Sequence, residues 1–149
     1  MSEPNPFVTT DFVRSTFIRS IEVGDHVGRR VRLRGWLHAL RRLGGVSFLI
    51  LRDGWGMVQI VAEQESELAP ILEQGLANET VLAVEGEVTT APQAPGGLEI
   101  RRPAITVLTP VAEPLPVLIG KREIKASLPT LLDHAVVANR HPARRALFR

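Results

Sequence analysis

The chain has 149 residues, 18 of them Lys or Arg and 16 Asp or Glu, for a net charge of +2. With no Cys it offers no disulfide framework, thiolate metal site or thiol nucleophile, and His26, His38, His134 and His141 lack metal-ligand spacing. A hydrophobic share of 44% excludes wholesale disorder, and no apolar run approaches the roughly 18 residues of a membrane span.

The small net charge conceals strong polarity: residues 1–52 carry +5, residues 53–120 carry −8 and residues 121–149 carry +5. Most of the basic residues are Arg, whose planar donor fork suits phosphates and base edges; a GC-rich genome accounts for the bias as well. The N-terminus has no charged region followed by an apolar core, so no secretory signal is expected, and the lack of Cys agrees with a cytoplasmic location.

In chain order, residues 1–26 read as an arm. A loose, Pro-punctuated stretch leads to a short helical turn capped by Thr10 and running through Arg19, and then to an approach loop with Gly24 and Gly28 as turn residues. At Arg30 the period becomes two. Val31 and Leu33 face one side and Arg30, Arg32 and Arg34 the other, with Gly35 marking a bulge or a close backbone approach. Arg41–Gly45 is a basic turn, Val46–Leu51 a second strand, Asp53–Gly56 a hairpin turn and Met57–Ala62 a third strand. Ser66 is expected to cap a helix whose apolar face is Leu68, Ile71, Leu72 and Leu76, ended by Gly75 and Asn78. Thr80–Val88 makes a fourth strand. Leu98–Ile100 and Ile105–Leu108 make a fifth, interrupted by Pro103 at an edge or bulge.

The order over residues 27–110 is three strands, one helix and two strands. That is the mainly β order of a five-stranded OB-fold, a Greek-key barrel with its helix between strands 3 and 4. Such barrels bind oligonucleotides, oligosaccharides or proteins, so the fold alone leaves function open. Residues 111–116 read as a Pro-stiffened linker, and residues 111–149 as a hinge and the start of a further domain. A helix opening near Pro142 runs into the last residues, which suggests a truncated chain; a short terminal helix packed on the barrel is the alternative.

Enzyme chemistry finds no foothold: there is no P-loop and no acid/base pair, and Glu63, Glu65 and Glu67 read as a solvated face. A binding groove is easier to build. Arg30, Arg32, Arg34, Arg41, Arg42 and Arg52 fall on or beside strands one to three, interleaved with Trp36, Phe48 and Trp55, which is the mixture that holds single-stranded nucleic acid. Trp36 fits the core equally well, and Trp55 fits a cap on the barrel end. Phe48 points outward if Leu49 and Leu51 point inward. Gln59 alternates with Val58 and Ile60 but shares a face with Met57 and Val61, so its direction stays open; outward, it offers a base both a donor and an acceptor.

The run Arg34-Gly35-Trp36-Leu37-His38, followed by Leu43-Gly44-Gly45, Phe48, Leu51-Arg52-Asp53 and Val58-Gln59-Ile60-Val61, resembles the N-terminal anticodon-binding domain of class IIb aminoacyl-tRNA synthetases. The likeness is greatest to the aspartyl enzymes of archaeal, non-discriminating type, then to the asparaginyl enzymes. Pro95–Ile100 is similar to the family's Gly-x-x-Glu strand, and Leu131–His134 with Arg140 and Ala146–Arg149 to its hinge and the helix before the first catalytic motif.

The resemblance implies that Phe48 stacks on the central anticodon uridine and Gln59 hydrogen-bonds it. It also implies that Arg41 contacts the anticodon loop and Glu99 approaches the third anticodon base. Arg34 and Arg42 join them as candidates; Arg42 stands where the family has Asp, and Ala135 and Asn139 depart from its hinge pattern. The partners implied are tRNA-Asp and tRNA-Asn, with a homodimer, ATP and Mg²⁺ belonging to the full-length enzyme and no cofactor expected in this chain. The rival readings are a free-standing synthetase-like paralogue with a regulatory or protein-interaction role, and a general single-strand binder.

Overall fold

The computed structural model describes residues 17–148. The Thr10-capped turn and most of the expected arm lie outside the described residues. Five strands, β1 (Arg30–Leu43), β2 (Val46–Arg52), β3 (Met57–Ala62), β4 (Val81–Thr90) and β5 (Leu98–Thr109), close into a barrel in the order β1-β2-β3-β5-β4. All neighbours are antiparallel except β3 and β5, whose short parallel pairing closes the ring. A short helix α1 (Ala69–Glu73) lies between β3 and β4, completing the OB-fold.

The core follows from strict alternation. Val31, Leu33 and Leu37 of β1 meet Leu49 and Leu51 of β2, Val58 and Ile60 of β3, Leu82, Val84 and Val88 of β4, and Ile100 and Ile105 of β5. Each fully buried Leu or Ile contributes about 1.5–3 kcal/mol. The outward residues of the same strands are thereby fixed, because the side-chain period is two.

β1 serves two neighbours. Its first half pairs with β4 and its second half with β2, so the strand must bend. The bulge that bends it is at His38, where the register slips between Leu37 and Ala39. Gly35 is the close approach instead: a Cβ there would sit 2.3 Å from the Arg52 carbonyl oxygen. Pro103 does not break β5, which runs unbroken through a bulge. Arg102 and Pro103 are extra residues opposite Gly86, and Arg102 takes a φ of 51°. Proline is tolerated there because the bulge needs no donor.

Four expectations change. The basic turn expected over Arg41–Gly45 shrinks to Gly44–Gly45, because β1 runs on through Leu43 in register with β2. Residues 20–26 are not a loop but a 3₁₀ turn (Ser20–His26) that inserts Val23 into the core. Ser66 does not cap the helix. A 3₁₀ turn (Glu65–Leu68) precedes α1, and its entry is held by Glu67, whose carboxylate accepts from the Glu63 and Gln64 amides at 2.8 and 2.9 Å. Leu76 lies past α1 with a φ of 52° and is exposed, so the apolar face ends at Leu72. The i+8 spacing is misleading because the chain leaves the helix after little more than a turn.

The C-terminal segment packs on the barrel rather than standing off it. Val117, Ile119 and Ala138 are buried, and Gly120 passes so close that a Cβ would lie 2.9 Å from the His38 carbonyl oxygen. Three short helices follow: α2 (Leu128–Asp133), N-capped by the Ser127 hydroxyl, α3 (Ala135–Ala138) and α4 (Pro142–Arg145), N-capped by the His141 ring.

Candidate nucleic-acid interface

Strand register brings most of the candidate residues into two adjacent rows on the outer face. Arg41 pairs with Phe48, Phe48 with Val61, and Val61 with Arg101. One step along lie Ala39, Ile50, Gln59 and Glu99. Leu49 and Leu51 do point inward, so Phe48 points out and is half-buried. Gln59 also points out, between the inward Val58 and Ile60, which closes the question the sequence leaves open. Four candidates, Arg41, Phe48, Gln59 and Glu99, therefore share one patch.

The chemistry of the second row is set by Glu99. Its carboxylate faces outward but is only 2% exposed. One oxygen accepts from Arg101 Nε at 2.6 Å, and the other accepts from Gln59 Nε2 at 3.3 Å. Glu63 meets the same Arg101 at 3.2 Å. The hydrogen bond and charge of Glu99 raise the Arg101 guanidinium above its ordinary range. Glu99 thus turns the Gln59 amide edge-on, fixing its nitrogen toward β5 and leaving its carbonyl oxygen and one N–H for a ligand.

The other Arg residues separate. Arg42 is exposed near the end of β1, paired with Ser47, with Glu65 at 3.8 Å. Arg34 is exposed but sits on the half of β1 that pairs with β4, its guanidinium 3.9 Å from the Phe17 ring centroid. Seven residues of strand, about 23 Å at about 3.3 Å each, separate it from Arg41, so it is not part of the patch. Arg30 and Arg32 meet Glu85 at 2.9 and 3.2 Å.

Arg52 leaves the groove altogether. It points outward in register with Trp36 and Met57, yet it is 2% exposed, because the C-terminal segment covers it. Its guanidinium pairs with Glu79 at 2.7 Å and with His38 Nδ1 at 2.8 Å. Trp36 is neither core nor groove: Arg52 and Arg140 lie over its ring, 5.4 and 5.3 Å from the centroid. Glu79 is held in this cluster with a φ of 72°, a conformation that costs a non-glycine residue about 1–3 kcal/mol. Burial, reinforced by the neighbouring Arg52 charge, lowers the His38 pKa.

The Asp53–Gly56 turn forms as expected. Asp53 accepts from the Trp55 and Gly56 amides and from both the hydroxyl and the amide of Ser20. Burial works to raise the Asp53 carboxyl, but those hydrogen bonds outweigh it and leave the group below its ordinary value. Trp55 is half exposed, with the Arg19 guanidinium 5.0 Å from its ring centroid.

The family model for the tRNA anticodon OB-fold nucleic acid binding domain matches residues 31–108, the span of the barrel and its outer face. The chain belongs to this family. Among curated relatives, the aspartate–tRNA(Asp/Asn) ligase of Archaeoglobus fulgidus is 40% identical over 124 residues, covering 82% of this chain and 29% of that protein. The ligase of the same name from Thermus thermophilus is 41% identical over 121 residues, covering 81% and 27%. The crystal structure of asparaginyl-tRNA synthetase from Pyrococcus horikoshii aligns at a TM-score of 0.72 and 31% identity, covering 85% of this chain and 30% of that one. Aspartyl-tRNA synthetase from Entamoeba histolytica shares the fold, with a TM-score of 0.75 at 19% identity over 97% of this chain and 36% of that one.

The anticodon-type OB domain described here thus spans under a third of the length of the curated ligases it matches. Among its described residues no helix is long and apolar enough to cross a membrane. Arg101 is the residue of the patch that the sequence reading passes over. Simple alternation from Glu99 places it on the outer face, but it falls in the gap between the two expected parts of the fifth strand, Leu98–Ile100 and Ile105–Leu108.

Proposed function

We propose that the outer face of β1, β2, β3 and β5 reads the anticodon loop of tRNA-Asp and tRNA-Asn as part of an aspartate–tRNA ligase of non-discriminating type. The observation that carries this reading is the pairing of Gln59 with the buried Glu99 one row from Phe48, on a face edged by Arg41. A flat, outward-pointing, half-buried ring beside an amide held by a carboxylate is the arrangement that reads a splayed-out base. Phe48 stacks on the central uridine, while Gln59 presents its carbonyl oxygen to the uridine N3–H and its remaining N–H to a uridine carbonyl. Arg41 holds the loop backbone, and Arg42, next to it on β1, adds charge. Glu99 acts on the third base through its position beside Gln59, and Arg34 contacts RNA only beyond the patch.

Amino-acid activation with ATP and Mg²⁺ in the cytoplasm, and the homodimer, belong to the longer ligase.

Binding of a synthetic tRNA-Asp anticodon stem–loop, measured by fluorescence anisotropy at fixed salt, tests the reading. Wild type is expected to prefer this hairpin over one with a scrambled loop, and Phe48→Ala to abolish the preference. Equal affinity of wild type for both hairpins would instead make the domain a general single-strand binder.

A further inference from the structure

The outer face continues beyond Gln59. Two residues back along β3 is Met57, 44% exposed, on the floor of a half-open pocket of about 110 Å³. Arg52 lies beside it on β2, Trp55 forms one wall, and Arg140 and Arg145 close the pocket from the C-terminal segment. Arg145 and Arg140 are thus the accessible basic residues of the pocket, with Arg52 buried beneath them and paired to Glu79. The two nearby carboxylates are already committed. Glu79 is engaged by Arg52 at 2.7 Å, with Arg140 at 3.7 Å, and Asp53 accepts hydrogen bonds from Ser20, Trp55 and Gly56. Arg145 donates from Nη1 to the Asp53 backbone carbonyl at 3.0 Å and forms no ion pair with a described carboxylate.

We propose that this pocket is a phosphate subsite, taking a phosphodiester of the same RNA strand that places a base on Phe48. The proposal rests on the anticodon-loop reading above. Phe48 pairs with Val61, four residues from Met57, or about 13 Å at about 3.3 Å per residue. An OB-fold groove tracks about 4–16 nucleotides, so a strand seated on Phe48 runs on past this row. The Arg145 fork suits a phosphate held by charge-assisted hydrogen bonds. The half-exposed Trp55 ring, with the Arg19 guanidinium 5.0 Å from its centroid, borders the pocket. The C-terminal segment thus completes a nucleic-acid site that the barrel alone does not have.

The test uses the whole 149-residue chain and a set of anticodon stem–loops, each with one loop phosphate replaced by a neutral methylphosphonate. Two variants address the pocket by different routes. Arg145→Ala removes the fork. Met57→Glu adds a carboxylate on an exposed side chain and leaves the Arg145–Asp53 contact in place. Replacement at one or two adjacent phosphates is expected to weaken wild-type binding 3- to 10-fold and to add nothing in either variant. If neutralising each phosphate costs the same in wild type and in both variants, the subsite is overturned. Phe48→Ala, measured on the same hairpins, separates the two claims. Loss of the Phe48 effect with the phosphate coupling intact removes the base reading alone, while the reverse removes the subsite alone.

Discussion

The two ends of one outer face differ more than their residues do. At one end Phe48 stands beside Arg41, with Gln59 and Arg101 in reach. At the other, Trp36 stands beside Arg52 in the same face register, and the chain's own C-terminal segment brings Arg140 over the ring while Arg52 is left 2% exposed. Arg and aromatic side chains alternate in both places. At the covered end a buried carboxylate, Glu79, and a second guanidinium from Arg140 satisfy the cluster from within. At the open end the only deeply buried charge, Glu99, is turned to orienting Gln59. The same composition makes an outward patch on one part of the face and, where the C-terminal segment packs over it, a cluster held together by an internal ion pair.

The largest effect expected from breaking this contrast comes from Glu79→Ala. It leaves the Arg52 guanidinium buried without its carboxylate, which costs about 3–5 kcal/mol of stability. Urea denaturation measures it, and a loss below about 1 kcal/mol would show that the pair does not hold the seam. Phe48→Ala is next and acts in the opposite place: about 1–3 kcal/mol of hairpin affinity is lost, with little change in the urea midpoint. Gln59→Leu follows, at about 0.5–1.5 kcal/mol of affinity. Its loss is expected only with uridine at the central anticodon position and should vanish when that base is changed.

The pH dependence sharpens the covered end. The folded-state pKa of His38 lies below its unfolded value, so its contribution to stability is full above the unfolded pKa of about 6.5. That contribution is lost as pH falls through the folded value, where the imidazolium faces Arg52. Asp53 has the same sign at lower pH, its contribution lost as pH falls below the ordinary carboxylate range. Urea midpoints between pH 7 and 5 should therefore fall for wild type and flatten for His38→Ala. The smallest effect is at Arg42, whose exposed 3.8 Å contact with Glu65 is solvent-screened. Arg42→Asp should leave stability within about 0.5 kcal/mol and weaken hairpin binding in a salt-dependent way.

Much of this was readable before any coordinates. Alternation in β1, β2 and β3 gave the inward set and hence the outward direction of Phe48, because one buried face fixes the other. The turn at Asp53–Gly56 was legible from turn chemistry that acts over four residues. The helix after β3 was overextended, since Leu76 matched a helical period that the backbone abandons at Gln74. Gly35 signals a bulge and a close approach alike; the structure makes it the close approach and puts the bulge at His38.

The sequence by itself determined the order of strands, the apolar face of each and the family to which they belong, all properties of local pattern. Tertiary structure alone decided which outward residues remain available. Gln59 acquires its orientation from Glu99, 40 residues away along the chain. Arg52 is withdrawn from solvent by Glu79 and by the segment carrying Arg140. The physical reason is that burial of a strand's outer face depends on what packs over it, and no periodicity within the strand records that.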